Sequence, residues 1–169
     1  MNYFQLFGIP EQLKVEQSGL AVKFFELSRQ YHPDYFVNKS PAERSVALDR
    51  SAMVNKAYRI FQDPDATIKY VLQLHELIEE EEKYELPADF LMEVLDLNEQ
   101  LLDASSGIPD AGLTEKVDKI EKEIYEPVKS IIENYKEGVT TKEELLQVKE
   151  YYYKKKYLHR LKKQLGGIA

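Results

Sequence analysis

The chain has no cysteine in 169 residues, which excludes disulfide staples, thiolate zinc sites, a cysteine nucleophile and an iron–sulfur cluster held by its own thiolates. Glycine and proline are sparse, seven of each, so the composition is that of a packed, helix-rich protein and not of a disordered or fibrous one. No apolar run approaches the about 18 to 20 residues of a membrane span. The opening Met1-Asn2-Tyr3-Phe4 lacks the basic flank and apolar stretch of a signal peptide. Basic residues are in deficit: 23 Lys and Arg against 30 Asp and Glu leave a formal charge of −7. Nucleic-acid binding, which rests on Lys and Arg pairing with phosphates, is disfavoured, and basic partners fit better. Sustained period-two alternation is also missing, so strands are not expected.

What is present is enough for a core: 43% of the residues are hydrophobic and 31% charged. The length suits one ordinary domain or two small ones. Charge separates along the chain, with 9 basic and 9 acidic residues over 1–76 but 14 basic and 21 acidic over 77–169. Between the halves, Glu79-Glu80-Glu81-Glu82-Lys83-Tyr84-Glu85-Leu86-Pro87 is a like-charge run closed by a proline, the pattern of a solvated helix end or linker. The expected organisation is therefore a first domain over 1–78, an acidic linker over 79–86 and a second domain over 87–169.

Stop signals divide the first half into short helices. Asn2 and Gln5 can form a capping box over Tyr3 to Phe7, closed by Gly8 and Pro10. Leu20, Phe24, Leu27 and Tyr31 recur on one face of a helix beginning near Glu16 to Ser18, and Pro33 stops it at His32. Ser40-Pro41-Ala42-Glu43 supplies a cap, a first-turn proline and a capping-box glutamate for the next helix. Its stripe is Ala47, Val54, Ala57, Tyr58 and Phe61, and Asp63-Pro64 ends it. A fourth helix over about 65–77, carrying Ile68, Val71, Leu72 and Leu74, packs back on these.

The second half reads as three helices. The first, over 87–104, carries Phe90, Val94, Leu97 and Leu101 and is broken by Ser105-Ser106-Gly107-Ile108-Pro109. The second, over about 113–136, carries Val117, Ile120, Ile124, Val128, Ile131 and Tyr135 in small-bundle spacing. Pro127 sits inside it and predicts a kinked single helix. The third runs from Thr140 or Thr141 to about Leu165, with Leu145, Val148 and Tyr152 on one face and Gly166-Gly167 at its end.

Two constellations carry chemistry. The first is His32-Pro33-Asp34: the proline fixes the backbone where a helix ends and presents an imidazole and a carboxylate on a short loop, where both can act on a partner. An intramolecular dyad is unconvincing, since no activated Ser or Cys accompanies it and His75 and His159 are remote in sequence. The second lies on the helix after Pro87. Phe90, Val94, Leu97 and Leu101 span about 60°, while Leu91, Leu95 and Leu102 form a second stripe about 100° to 140° away, with Met92 and Glu99 beyond it. So wide an arc serves either a bundle helix with two neighbours or an exposed Leu/Met patch rimmed by Asp96 and Glu99. On the last helix Leu146, Tyr153, Tyr157 and Leu161 form a stripe offset from the core face, suited to a half-exposed surface or a bundle edge. Lys154-Lys155-Lys156 reads as a solvated face.

In context, Asn2-Tyr3-Phe4-Gln5-Leu6-Phe7-Gly8-Ile9-Pro10, Tyr31-His32-Pro33-Asp34, Phe36 and Phe90-Leu91-Met92-Glu93 resemble, in order and over nearly the whole chain, the HscB iron–sulfur co-chaperone family, whose N-terminal part is a J domain. The resemblance implies an all-α, L-shaped protein: a J domain with a helical hairpin and an HPD loop, then a three-helix bundle. It implies a cytoplasmic co-chaperone, not an enzyme, with no cofactor of its own and no nucleic-acid or membrane partner. A cytosolic bacterial setting is favoured over the mitochondrial matrix, because the J domain begins at Met1. His32, Pro33 and Asp34, with Lys23 and Arg29, would contact a DnaK/HscA-type ATPase chaperone and stimulate it. Tyr35 stands where many J domains have Lys, and Glu26 dilutes the basic face, which points to a less electrostatic docking. The matching positions for the scaffold protein IscU would be Leu91, Met92, Leu95, Asp96, Glu99 and Tyr153. Alternatives are a J protein with another client, a structural helical protein with a coincidental loop, and, least supported, a hydrolase using His32 and Asp34.

Overall fold

The computed structural model describes residues 1–103 and 111–166. The expected break at 105–109 and the expected terminal Gly167 lie outside the described residues. Among those described, the secondary structure is α-helices and two 3₁₀ turns, with no strand, and no helix is long and apolar enough to cross a membrane. The chain forms two compact units, Met1–Leu74 with Tyr135–Val139, and His75–Asn134 with Thr140–Ala169.

In the first unit, α1 (Tyr3–Phe7) is one turn and a half held by its ends. Asn2 Oδ1 accepts the Gln5 N–H at 2.8 Å and Gln5 Oε1 accepts the Asn2 N–H at 2.9 Å. Gly8 closes it in the left-handed region at φ 66°, a conformation glycine adopts without a Cβ penalty. Five residues cannot sustain a helix alone. Packing does: Phe4 and Phe7 are fully buried, with ring centroids 4.9 and 5.3 Å from Phe61 of α3.

The second helix, α2, spans Leu20–Gln30 and starts later than the sequence suggests, from Gly19 with no side-chain cap. The reason lies at Gln17, whose amide donates to the Val15 and Phe61 carbonyls at 3.0 and 2.9 Å, tying the preceding chain to α3. Helix α3 (Pro41–Gln62) begins on the Ser40/Glu43 capping box, and its Ala47, Val54, Ala57 and Phe61 are buried. Asp63 then serves two helices: it ends α3, and its Oδ1 accepts the Asp65 and Ala66 N–H groups at 2.9 and 3.2 Å at the start of α4 (Pro64–Leu74). Buried Thr67 is satisfied by donating its hydroxyl to the Ile60 carbonyl at 2.8 Å. Helix α4 stops three residues short of the expected Leu77 because Glu76 turns into the left-handed region, φ 56°.

In the second unit, α5 (Ala88–Asp103), α6 (Ala111–Tyr125) and α8 (Lys142–Gly166) enclose a core of Phe90, Val94, Leu97, Leu113, Val117, Ile120, Leu158 and Leu161. The kink expected at Pro127 is a real interruption: a 3₁₀ turn over Glu126–Val128 separates α6 from α7 (Lys129–Glu133), as a proline without an N–H demands. Beyond it Ile132 is buried and Ile131 only half-buried. Tyr135 leaves the bundle stripe altogether, and its hydroxyl donates to the Glu11 carboxylate within the first unit. Helix α8 is opened by a capping box in which the Thr141 N–H meets Glu144 Oε1 at 3.0 Å and the Glu144 N–H meets Thr141 Oγ1 at 3.1 Å. Along α8, Tyr151 is the buried ring and Tyr152 the half-buried one, and Leu161 is core, not part of an offset stripe.

The shared dependence of α1 and α3 on one ring gives a test. Phe61→Ala is expected to cost the first unit about 3 to 5 kcal/mol, read by urea unfolding; a loss below about 1 kcal/mol, the scale of a surface change, would contradict the packing described.

Candidate functional site

The His-Pro-Asp loop is shaped by its proline. Pro33 keeps His32 out of helical geometry, at φ −64° and ψ 133°, and opens a 3₁₀ turn over Pro33–Phe36. His32 caps that turn, its Nδ1 accepting the Asp34 N–H at 3.2 Å. A ring nitrogen that accepts carries no proton, so the neutral imidazole bears its hydrogen on Nε2. The Asp34 carboxylate lies 3.6 Å from the same Nδ1, and the two side chains are 54% and 85% exposed. Half-buried Phe36 is the inward-facing residue of the turn. The His32 and Tyr35 rings meet edge to face, centroids 6.3 Å apart.

Around the loop, Phe25, Ser28, Arg29, His32, Asp34 and Tyr35 line one open groove. Arg29 therefore joins the motif. Lys23 does not: its ammonium sits 3.9 Å from Glu26 and its tail lies alongside Gly8. Catalysis within the groove is poorly served. Nδ1 is taken by a backbone N–H, not by the Asp34 carboxylate, and no hydrogen bond joins Ser28 to His32 among the described residues, so the orienting and activating bonds of a triad are missing. Nor do the described residues group three His, Asp or Glu suitably for a metal ion.

The second candidate surface is the outward side of α5. Phe90, Val94 and Leu97 are buried, whereas Leu91, Met92, Leu95 and Leu102 are exposed, Met92 at 70%, with Asp96 and Glu99 exposed among them. The second stripe is thus surface and not a second core contact. Helix α5 is held in place by Asn98, which donates to the Tyr157 hydroxyl of α8 at 3.0 Å.

Tyr153, the sixth residue expected here, has another attachment. Its hydroxyl donates to Glu82 at 2.9 Å and its ring stacks on Tyr84, centroids 4.5 Å apart and planes within 4°. Glu82 also accepts from Lys149 at 2.8 Å. The acidic stretch read as a solvated linker is therefore pinned to α8 in the second unit. The Lys149 ammonium, with a smaller contribution from the Tyr153 hydroxyl, outweighs burial and holds the Glu82 carboxyl below its ordinary value; burial first and Glu82 second push the Tyr153 phenol up.

Sequence reasoning missed Phe25, Glu82, Tyr84 and Lys149. Phe25 had a signal, since Val22, Phe25, Arg29 and His32 fall at i, i+3, i+7 and i+10 on one helix face. The Glu82 clamp had none, because its partners lie 67 and 71 residues away.

The clamp has a pH signature. Because Glu82 titrates lower in the folded than in the unfolded chain, its contribution is complete above the ordinary value of 4.5 and is lost as pH falls through the folded value. Glu82→Gln is expected to lower the melting temperature at neutral pH, with the gap to wild type closing as the pH drops below that window. A gap independent of pH would contradict the clamp.

Comparison with known proteins agrees with both halves of this description. Residues 86–166 match the family model of the HSCB C-terminal oligomerisation domain. The whole chain is similar to the chaperone HscB from Vibrio cholerae, with 27% identity, a TM-score of 0.65 and coverage of 99% of this chain and 97% of that one. It is also similar to the human co-chaperone protein HscB, with 26% identity, a TM-score of 0.75 and coverage of 98% and 81%. In its all-helical architecture, its exposed His-Pro-Asp turn and these matches, the chain is similar to the HscB co-chaperones.

Proposed function

We propose that this protein is an adaptor whose N-terminal J-type arm docks on a DnaK/HscA-type chaperone and stimulates its ATPase, while its C-terminal bundle delivers the iron–sulfur scaffold protein IscU to that chaperone. One observation carries the reading. His32 and Asp34 stand exposed on a proline-fixed turn, with their mutual geometry already set, so little conformational freedom is lost when a partner takes them up. His32, Pro33 and Asp34 act on the ATPase, Arg29 beside them supplies a cationic contact, and Lys23, 3.9 Å from Glu26, adds a second one that the glutamate offsets.

Leu91, Met92 and Leu95 form the apolar seat for the scaffold, and Asp96 and Glu99 set its polar rim. Methionine adapts its shape to a partner surface at little cost. Tyr153 supports this side by holding Glu82 and the acidic stretch against α8. The net charge of −7 favours a basic client over an acidic one.

Steady-state hydrolysis by the chaperone, measured with and without this protein and again with the scaffold added, tests both arms. Asp34→Asn is expected to abolish stimulation with an unchanged melting temperature, because the carboxylate is exposed and the turn's backbone bond survives. Equal stimulation by the mutant would overturn the role of the loop. Leu91→Ala combined with Leu95→Ala is expected to weaken scaffold binding by about tenfold or more while leaving stimulation by the protein alone intact. Undiminished affinity by calorimetry would overturn the α5 assignment, and stimulation without any scaffold binding would point to a different client.

A further inference from the structure

The His-Pro-Asp groove has walls that the proposed function does not explain. Phe25 is 65% exposed and Tyr35 64% exposed, and both line the groove together with His32 and Asp34. Neither ring is loose. Phe24 turns inward to stack on Tyr58 of α3 at 4.1 Å, and Phe25 lies against Phe24 at 5.6 Å, so a packed ring supports the exposed one. Tyr35 rests on the His32 ring edge to face. Val22, 61% exposed, extends the apolar side one turn further along α2.

Charge on this face is balanced. Over residues 20–37, Lys23 and Arg29 oppose Glu26 and Asp34, so the formal charges of the carboxylates and the basic side chains cancel. A neutral face gains little from long-range steering, and its affinity has to come from contact area. Two supported aromatic rings beside a desolvatable polar pair are the composition of an interface centre.

We propose that this protein engages its ATPase chaperone chiefly through Phe25 and Tyr35, which seat in an apolar depression adjoining the groups that meet His32 and Asp34, so that docking depends little on ionic strength. The inference rests on the proposed function and deepens it. The occupant is the chaperone because the two rings and the His-Pro-Asp side chains share a single groove, and whatever covers one covers the other. Phe25 and Tyr35 set affinity, and His32 and Asp34 set the response.

The test is a titration of the full-length protein into a DnaK/HscA-type chaperone, read both as ATPase rate and as binding by calorimetry, for wild type, Phe25→Ala, Tyr35→Ala and Asp34→Asn. Phe25→Ala and Tyr35→Ala are each expected to raise the concentration for half-maximal stimulation about tenfold with the maximal rate preserved, whereas Asp34→Asn removes the maximal rate and leaves binding within about twofold. Raising salt from about 50 to 300 mM, a range that strongly shortens electrostatic reach, is expected to change wild-type affinity by less than about threefold. If wild type binds and stimulates but the two aromatic variants match it, or if its binding collapses with salt, the aromatic docking is overturned and the co-chaperone role stands. If wild type neither binds nor stimulates, both are overturned.

Discussion

A proline that disfavours helical geometry in the residue before it sets the organisation of the loop. Pro33 forces His32 into extended geometry, and three consequences come from that one steric rule. The helix before it must end, which separates α2 from α3. The freed Asp34 N–H needs an acceptor and finds the His32 ring, which fixes the tautomer. The carboxylate of Asp34, 85% exposed, then stands in solvent beside the imidazole. Exposure of the pair is thus a product of local backbone chemistry, and it survives only while α2 and α3 hold the two ends of the turn together.

That hairpin is in turn held by aromatic packing. Phe61 near the end of α3 touches the Phe4 and Phe7 rings of α1, and Tyr58 one turn earlier stacks on Phe24 of α2. Helices of five and eleven residues have little stability apart from such contacts, so the rigidity needed at the loop is supplied at the far side of α3. Rigidity matters here because a loop that samples many geometries spends binding energy on ordering itself.

The parts of this fold that could be read from the chain are those governed by neighbours in sequence. Asn2 with Gln5, Ser40 with Glu43 and Pro33 with His32 are separated by three residues or fewer, and each formed the cap or stop its chemistry implies. Errors arose where a distant partner decided. Helix α2 starts late because Gln17 is recruited by the Phe61 carbonyl. Tyr135 had the spacing of a bundle residue, yet its hydroxyl finds Glu11, 124 positions away. Glu82 looked like one more solvated acid in a run of four, and only Lys149 and Tyr153, from α8, distinguish it. Periodicity likewise could not say whether Leu91 and Leu95 faced a neighbour or water, since both answers use the same arc of a helix.

The resulting surfaces differ in physical character, and under the proposed function that difference bears on how one small protein would serve two partners. The loop side is charge-balanced and aromatic, with groups whose positions are fixed before any encounter. The α5 side is aliphatic, a Leu/Met stripe in the acidic half of the chain, where 14 basic residues face 21 acidic ones over 77–169. A fixed aromatic face discriminates by shape, whereas an adaptable aliphatic face in a negative field discriminates by charge and accepts some variation in contour. Under the proposed function, partners selected by such different criteria would not compete for the same surface, and a change in ionic strength would act on the acidic side far more than on the neutral one. Under the proposed function, the segregation of charge between the two halves of the chain would therefore separate the two binding problems before any contact is made.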